Sequence, residues 1–119
     1  MLSSQNSPIH KKDLDKHFRG RVPTEKEALE WSIEKWRRNG LKCNWPDKVS
    51  WGTGSCALCR RYTFESCNSY GRCPLADASG RGCVKGSQYL RASDAHGAGD
   101  RVEFMKARNN MLRRMRRAL

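Results

Sequence analysis

The residues of this 119-residue chain best suited to chemistry are its six cysteines, five of which lie between Cys56 and Cys83. Cys56-Ala57-Leu58-Cys59 is a two-residue-spaced pair, and such a turn lets both thiolates face one ion. Cys67, Cys73 and Cys83 follow, while Cys43 stands apart. A tetrahedral zinc takes four ligands, so the cluster offers one thiolate too many. Two sets compete: Cys56, Cys59, Cys67 and Cys73, or the same set with Cys83 in place of Cys67. Pro74 stiffens the backbone directly after Cys73, and Gly80, Gly82 and Gly86 permit a tight path around Cys83. The fifth thiol is expected as a buried free cysteine. Zn2+ suits short thiolate spacings, and an iron–sulfur cluster is the alternative cofactor for the same four sulfurs.

That donor set argues against catalysis. A catalytic zinc keeps an open position and three protein ligands, and the cluster holds no His and no Glu beyond Glu65. The Cys56–Cys59 pair lacks the surrounding strand-helix-strand pattern of a thioredoxin-like motif. Gly52-Thr53-Gly54 lacks the Lys and Ser/Thr of a phosphate-binding loop. The expectation is a structural metal in a protein that is not an enzyme. No basic-then-apolar leader opens the sequence and no apolar run is long enough for a membrane span, so a cytoplasmic location is expected, where short cysteine spacings hold metal more often than disulfides.

Charge bears on partners. Lys and Arg number 24 against 12 Asp and Glu, a formal net charge of +12, which favours nucleic acid or an acidic protein face. The balance is most uneven after residue 97, where Arg101, Lys106, Arg108, Arg113, Arg114, Arg116 and Arg117 face only Asp100 and Glu103. Arg108, Arg113, Arg114, Arg116 and Arg117 are the candidate nucleic-acid contacts.

Certain elements must position these groups. Residues 1–22, mostly polar, are expected as a flexible N-terminal tail in which His10 and His17 are solvated. Thr24 with Glu27 three residues on has the form of a capping box, and Leu29, Ile33 and Trp36 share a face with Ala28 and Ser32 beside them. This spacing predicts an amphipathic helix that stops at Gly40, with Arg37 and Arg38 favouring its C-terminal dipole. Trp31 lies off that stripe, as a contact residue or a second packing surface. Residues 41–55 read as loop, from which Trp45 and Trp51 would cover the metal site and the Trp36 face. His96, in a Ser-Asp-Ala-His run with Asp94, reads as a capping or surface group. Asp100 is a candidate N-cap for a C-terminal helix whose apolar stripe would be Val102, Met105, Leu112, Met115 and Leu119. The fold class is therefore a small mainly-α, metal-stapled domain: tail 1–22, helix plus Cys-rich domain 23–97, basic amphipathic helix 98–119.

The ordered fragments Cys56-Ala57-Leu58-Cys59-Arg60-Arg61-Tyr62, Cys73-Pro74-Leu75, Gly82-Cys83 and Gly86-Ser87-Gln88-Tyr89, with the helix Leu29 to Trp36 upstream, resemble a group of small cysteine-rich proteins of tailed bacteriophages. The resemblance covers roughly residues 26–95. Two positions depart from it: Tyr70 stands where the family has a cysteine three residues before Cys-Pro, and Tyr89 follows Gln88 in place of proline. It implies a phage-encoded, metal-binding protein of the infected cell, and it says nothing of the basic C-terminal segment. The function expected from charge and cysteines is a zinc-stabilised binding protein contacting nucleic acid. The alternative is a host-takeover or anti-defence factor on an acidic host protein.

Overall fold

The computed structural model describes residues 6–51, 56–61 and 87–119. It is mainly helical, and no strand occurs among the described residues. The helices are α1 (Lys11–Phe18), α2 (Glu25–Asn39), α3 (Ala57–Arg61), α4 (Ser87–Gly97) and α5 (Arg101–Ala118), with a 3-10 turn at Lys42–Asn44. α2 is the central element, packing against α3 on one side and α5 on another, while α4 and α5 form a helical hairpin. No helix among the described residues is long and apolar enough to cross a membrane.

α2 starts where its local chemistry dictates. Thr24 Oγ1 accepts from the Glu27 N–H at 3.2 Å, and the Thr24 N–H donates to Glu27 Oε1 at 3.0 Å, so two orphan donors of the first turn are satisfied. Arg21 grips the same carboxylate with both terminal nitrogens, at 2.7 and 2.9 Å. The Arg21 hydrogen bonds, followed by that from the Thr24 backbone, lower the Glu27 carboxyl from its ordinary 4.5 to about 2. A depressed folded value means that this carboxylate stabilises the fold at neutral pH, and that the contribution fades as pH falls from about 4.5 towards 2. The thermal midpoint of Glu27→Gln should accordingly lie below that of the wild type at pH 6, with the gap narrowing on acidification through that window.

The helical hairpin is closed by a single residue acting at both ends. Gly99, at φ 70, ends α4 in a left-handed cap in which the Asp100 N–H donates to Ala95 O at 2.8 Å and the Gly99 N–H to His96 O at 3.1 Å. Asp100 Oδ1 then accepts from the Glu103 N–H at 3.1 Å, the N-cap expected from the sequence. Further along, Asn110 Nδ2 donates to Gln88 Oε1 at 3.2 Å, holding the two helices side by side.

The apolar stripe of α5 agrees with the expected one at Leu112 and Met115, with Met105 packed beside them, and differs at its two ends. Its buried residues are Phe104, Ala107, Met111, Leu112 and Met115, whereas Val102 and Leu119 are exposed by 67% and 61%. Two apolar rows interleave on this helix, and the aromatic wall of α2 and its following loop selects the one carrying Phe104. Trp36 lies within that wall, with ring centroids 5.5 Å from Trp51, 6.0 Å from Tyr89 and 6.4 Å from Phe104. Trp51 thus covers the Trp36 face as expected, and Trp45 meets Phe104 at 4.8 Å.

Residues 6–22 depart most from expectation, since they belong to the core and not to a flexible tail. Ile9, Leu14 and Phe18 are 2% exposed or less. Three buried polar side chains hold the main chain before α1: Asn44 Nδ2 donates to Asn6 O (2.7 Å), Arg38 Nη1 to Ser7 O (3.0 Å) and Ser50 Oγ to Ile9 O (2.5 Å). Ser50 is itself fixed by Asn39, whose Oδ1 accepts from its N–H at 2.8 Å and whose Nδ2 donates to its carbonyl at 3.1 Å. α1 is too short to persist alone, so these contacts and its Leu14 and Phe18 face are what hold it helical. Trp31 is the second packing surface, half-buried against His17 and Phe18 with centroids 4.8 and 5.7 Å away.

Candidate nucleic-acid interface and metal-binding turn

Cys56 is buried at the entry to α3, and Cys59 lies in the first turn of that helix. α3 is seated on α2: Ala57 and Leu58 are 1% and 0% exposed, and the Leu58 N–H donates to Ser32 Oγ at 3.3 Å. Arg61 Nη1 donates to Pro23 O at 3.2 Å, tying the other end of α3 to the start of α2. The backbone of both residues of the two-residue-spaced pair therefore lies on an element fixed to the core. Cys67, Cys73 and Cys83 lie outside the described residues, as do Pro74 and the glycines around Cys83. Cys43 is exposed in the 3-10 turn. Among the described residues no group of three or more His, Cys, Asp or Glu side chains is arranged to hold a metal ion.

The cations of α5 divide by what they touch. The buried stripe points one side of the helix into the core, and Lys106, Arg113, Arg116 and Arg117 are exposed on the remainder. Positions 106, 109, 113 and 116/117 are three or four residues apart and so form one ridge about 16 Å long. Lys106 pairs with Glu103 at 3.1 Å, and Arg113 donates to Asn110 Oδ1. Arg116 and Arg117 make no side-chain hydrogen bond or ion pair among the described residues. Arg114 is half-buried and engaged.

Arg108 has a different task from the one its residue type suggests. Its Nε donates to Trp36 O and its Nη2 to Arg37 O, both at 3.0 Å, and its Nη1 donates to Asn109 Oδ1 at 2.7 Å. These bonds cap C-terminal carbonyls of α2, supplying a donor to Trp36 O and a second one to Arg37 O, which also accepts from the Gly40 N–H at 3.2 Å. Arg101 Nη2 completes the cap by donating to Gly40 O at 2.8 Å, and Asn44 Nδ2 donates to Arg38 O at 2.8 Å. Gly40 itself sits at φ −86 in ordinary right-handed geometry. It must be glycine for another reason: a β-carbon there would lie 2.5 Å from Arg108 Nε and 2.6 Å from its Cζ. Arg37 and Arg38 lie in the last turn of α2, as the helix dipole favours, and also share Glu34, with contacts of 2.7 and 2.6 Å that depress its carboxyl, the Arg37 bonds contributing most.

The exposed arginines of α5 lie in its C-terminal half. The near half of the hairpin borders a groove of about 490 Å³ lined by Asp94, Asp100 and Glu103 together with Arg91 and Lys106. Acidic groups there would repel phosphate, whereas cations near the C-terminus also complement the helix dipole. His96 was read from sequence as a surface or capping group. It is half-buried, with Nε2 2.8 Å from Pro46 O and its ring 5.4 Å from Trp45 and 5.2 Å from Trp51.

In comparison with known proteins, no family model, curated protein or solved structure matches this chain. The functional reading accordingly rests on the residues themselves.

Proposed function

We propose that this chain is a small binding protein that contacts nucleic-acid phosphates through the exposed ridge of α5. The observation that carries this reading is the placement of Arg113, Arg116 and Arg117, exposed on a helix whose opposite stripe is locked into the core. A rigid helix presents guanidinium groups at fixed spacing, which suits backbone phosphates and does not require base reading. Arg108 does not belong to this ridge, because three of its N–H groups are engaged by α2 and Asn109.

Three phosphate contacts predict a salt slope near −2.7, so affinity for a short DNA duplex should fall roughly 40-fold between 50 and 200 mM salt. The Arg113→Gln/Arg116→Gln/Arg117→Gln variant should keep its fold and lose most of that slope in fluorescence-anisotropy titrations against DNA and RNA. Absence of binding at low salt, or affinity indifferent to salt, refutes the reading.

In this proposal one zinc braces the loops beside α3. Cys56 and Cys59 would hold it with Cys73 and either Cys67 or Cys83, and its role is structural. The buried base of α3 and the soft, all-sulfur donor set support that assignment. Anaerobically purified protein should contain one zinc per chain by elemental analysis, and Cys56→Ser should lose it. Comparing Cys67→Ser with Cys83→Ser identifies the fourth ligand, and a brown, iron-containing preparation would assign an iron–sulfur cluster instead.

A further inference from the structure

The cap on α2 brings together more positive charge than capping needs. Arg101 and Arg108 converge on Gly40 from two turns of α5: Arg101 Nη2 on its carbonyl oxygen at 2.8 Å, and the Arg108 guanidinium against its α-carbon. Arg37 and Arg116 add their charges to the same neighbourhood, and together with burial these neighbours lower the Arg108 guanidinium, burial being the largest cause. Arg37 is balanced by Glu34. Arg101, Arg108 and Arg116 have no carboxylate partner among the described residues. Arg101 Nε, moreover, is buried and has no hydrogen-bond acceptor among them. A desolvated guanidinium donor with no acceptor is costly to leave unsatisfied.

We infer that this seam between the C-terminus of α2 and the edge of α5 is an oxyanion site, built for a backbone phosphate of the bound nucleic acid. Arg108 uses three of its five N–H groups on the protein, so it is held rigid and still has donors to offer. Arg101 brings a second guanidinium without a carboxylate partner among the described residues, and phosphate is an oxyanion that guanidinium donors bind well. The site lies beside the exposed ridge and not on it. A strand held by Arg113, Arg116 and Arg117 would thus gain a contact that sets its register along α5. The choice of phosphate source rests on the nucleic-acid reading, whereas the oxyanion site itself does not.

The test follows the Gly40 amide and the Arg101 Nε–H by NMR in the full, metal-loaded chain. Inorganic pyrophosphate and a short single-stranded oligonucleotide are titrated separately at constant ionic strength. Both should produce saturable shifts at these two signals. Arg101→Lys, which keeps the charge and loses the planar fork, should weaken pyrophosphate about tenfold. Arg113→Gln/Arg117→Gln, which leaves Arg116 in place, should leave pyrophosphate binding at Gly40 unchanged. Signals that stay still with pyrophosphate, or move only as they do with chloride, overturn the site. Movement with pyrophosphate but not with a bound oligonucleotide overturns the backbone source. An oligonucleotide that fails to bind at all, beside a normal pyrophosphate response, overturns the nucleic-acid function and supports the site.

Discussion

Replacing Trp36 with alanine is expected to cost about 3–5 kcal/mol, the range for removing a buried large aromatic side chain. Trp36 is 1% exposed and meets rings from the following loop, from α4 and from α5. Its ring meets Trp51 from the loop after α2 at 5.5 Å, Tyr89 of α4 at 6.0 Å and Phe104 of α5 at 6.4 Å. The first two contacts are edge-on, the arrangement that adds attraction beyond area burial. The Lys35 ammonium also lies over the ring at 5.6 Å. Small domains are stable by about 5–15 kcal/mol, so this one change removes a large part of the total. Urea denaturation followed by circular dichroism should show the midpoint collapsing in Trp36→Ala, while Trp36→Phe retains much of it. A loss below about 1 kcal/mol in Trp36→Ala would mean that the aromatic wall does not organise the core.

Sequence reasoning succeeded where the determining contacts are local. The Thr24–Glu27 box and the Asp100 cap each need three residues of context, and both are present as expected. It failed where a partner arrives from far along the chain. Residues 6–9 look like solvated tail until Arg38, Asn44 and Ser50 are placed over their carbonyls, and those side chains come from 31, 38 and 41 residues away. The register of α5 was ambiguous for a related reason. Val102 and Phe104 are both plausible core residues in a helical repeat, and only the ring wall around Trp36 decides between them. A signal for the N-terminal segment did exist in the spacing of Ile9, Leu14 and Phe18, though averaging over a polar stretch hid it. The cysteine cluster is a different case, because spacing names candidate ligands without choosing among five. The structure adds that Cys56 enters a turn anchored on Ser32.

Arg108 is the residue at which charge and structure give opposite forecasts, and alanine substitution distinguishes them. If it were one more solvated cation, Arg108→Ala would change stability by no more than about 0.5 kcal/mol. Because its fork instead satisfies Trp36 O and adds a second donor to Arg37 O, which also accepts from the Gly40 N–H at 3.2 Å, the expected loss is about 1–3 kcal/mol, chiefly from Trp36 O left without its donor. Arg108→Lys should recover only a minor part, since a single ammonium cannot reach two carbonyls with the same planar geometry. Gly40 makes the argument sharper. In the wild type Gly40→Ala drives a β-carbon to 2.5 Å from Arg108 Nε and should destabilise by about 1–3 kcal/mol through overpacking. With Arg108→Ala already in place, that obstruction is gone and the backbone at φ −86 accepts alanine readily. Gly40→Ala should then be neutral or stabilise by about 0.5 kcal/mol, by restricting the unfolded chain. The double-mutant cycle therefore predicts a change of sign, which no independent pair of sites would produce. Additive effects in urea denaturation would place the Arg108 guanidinium away from Gly40 and remove the cap from the account of α2.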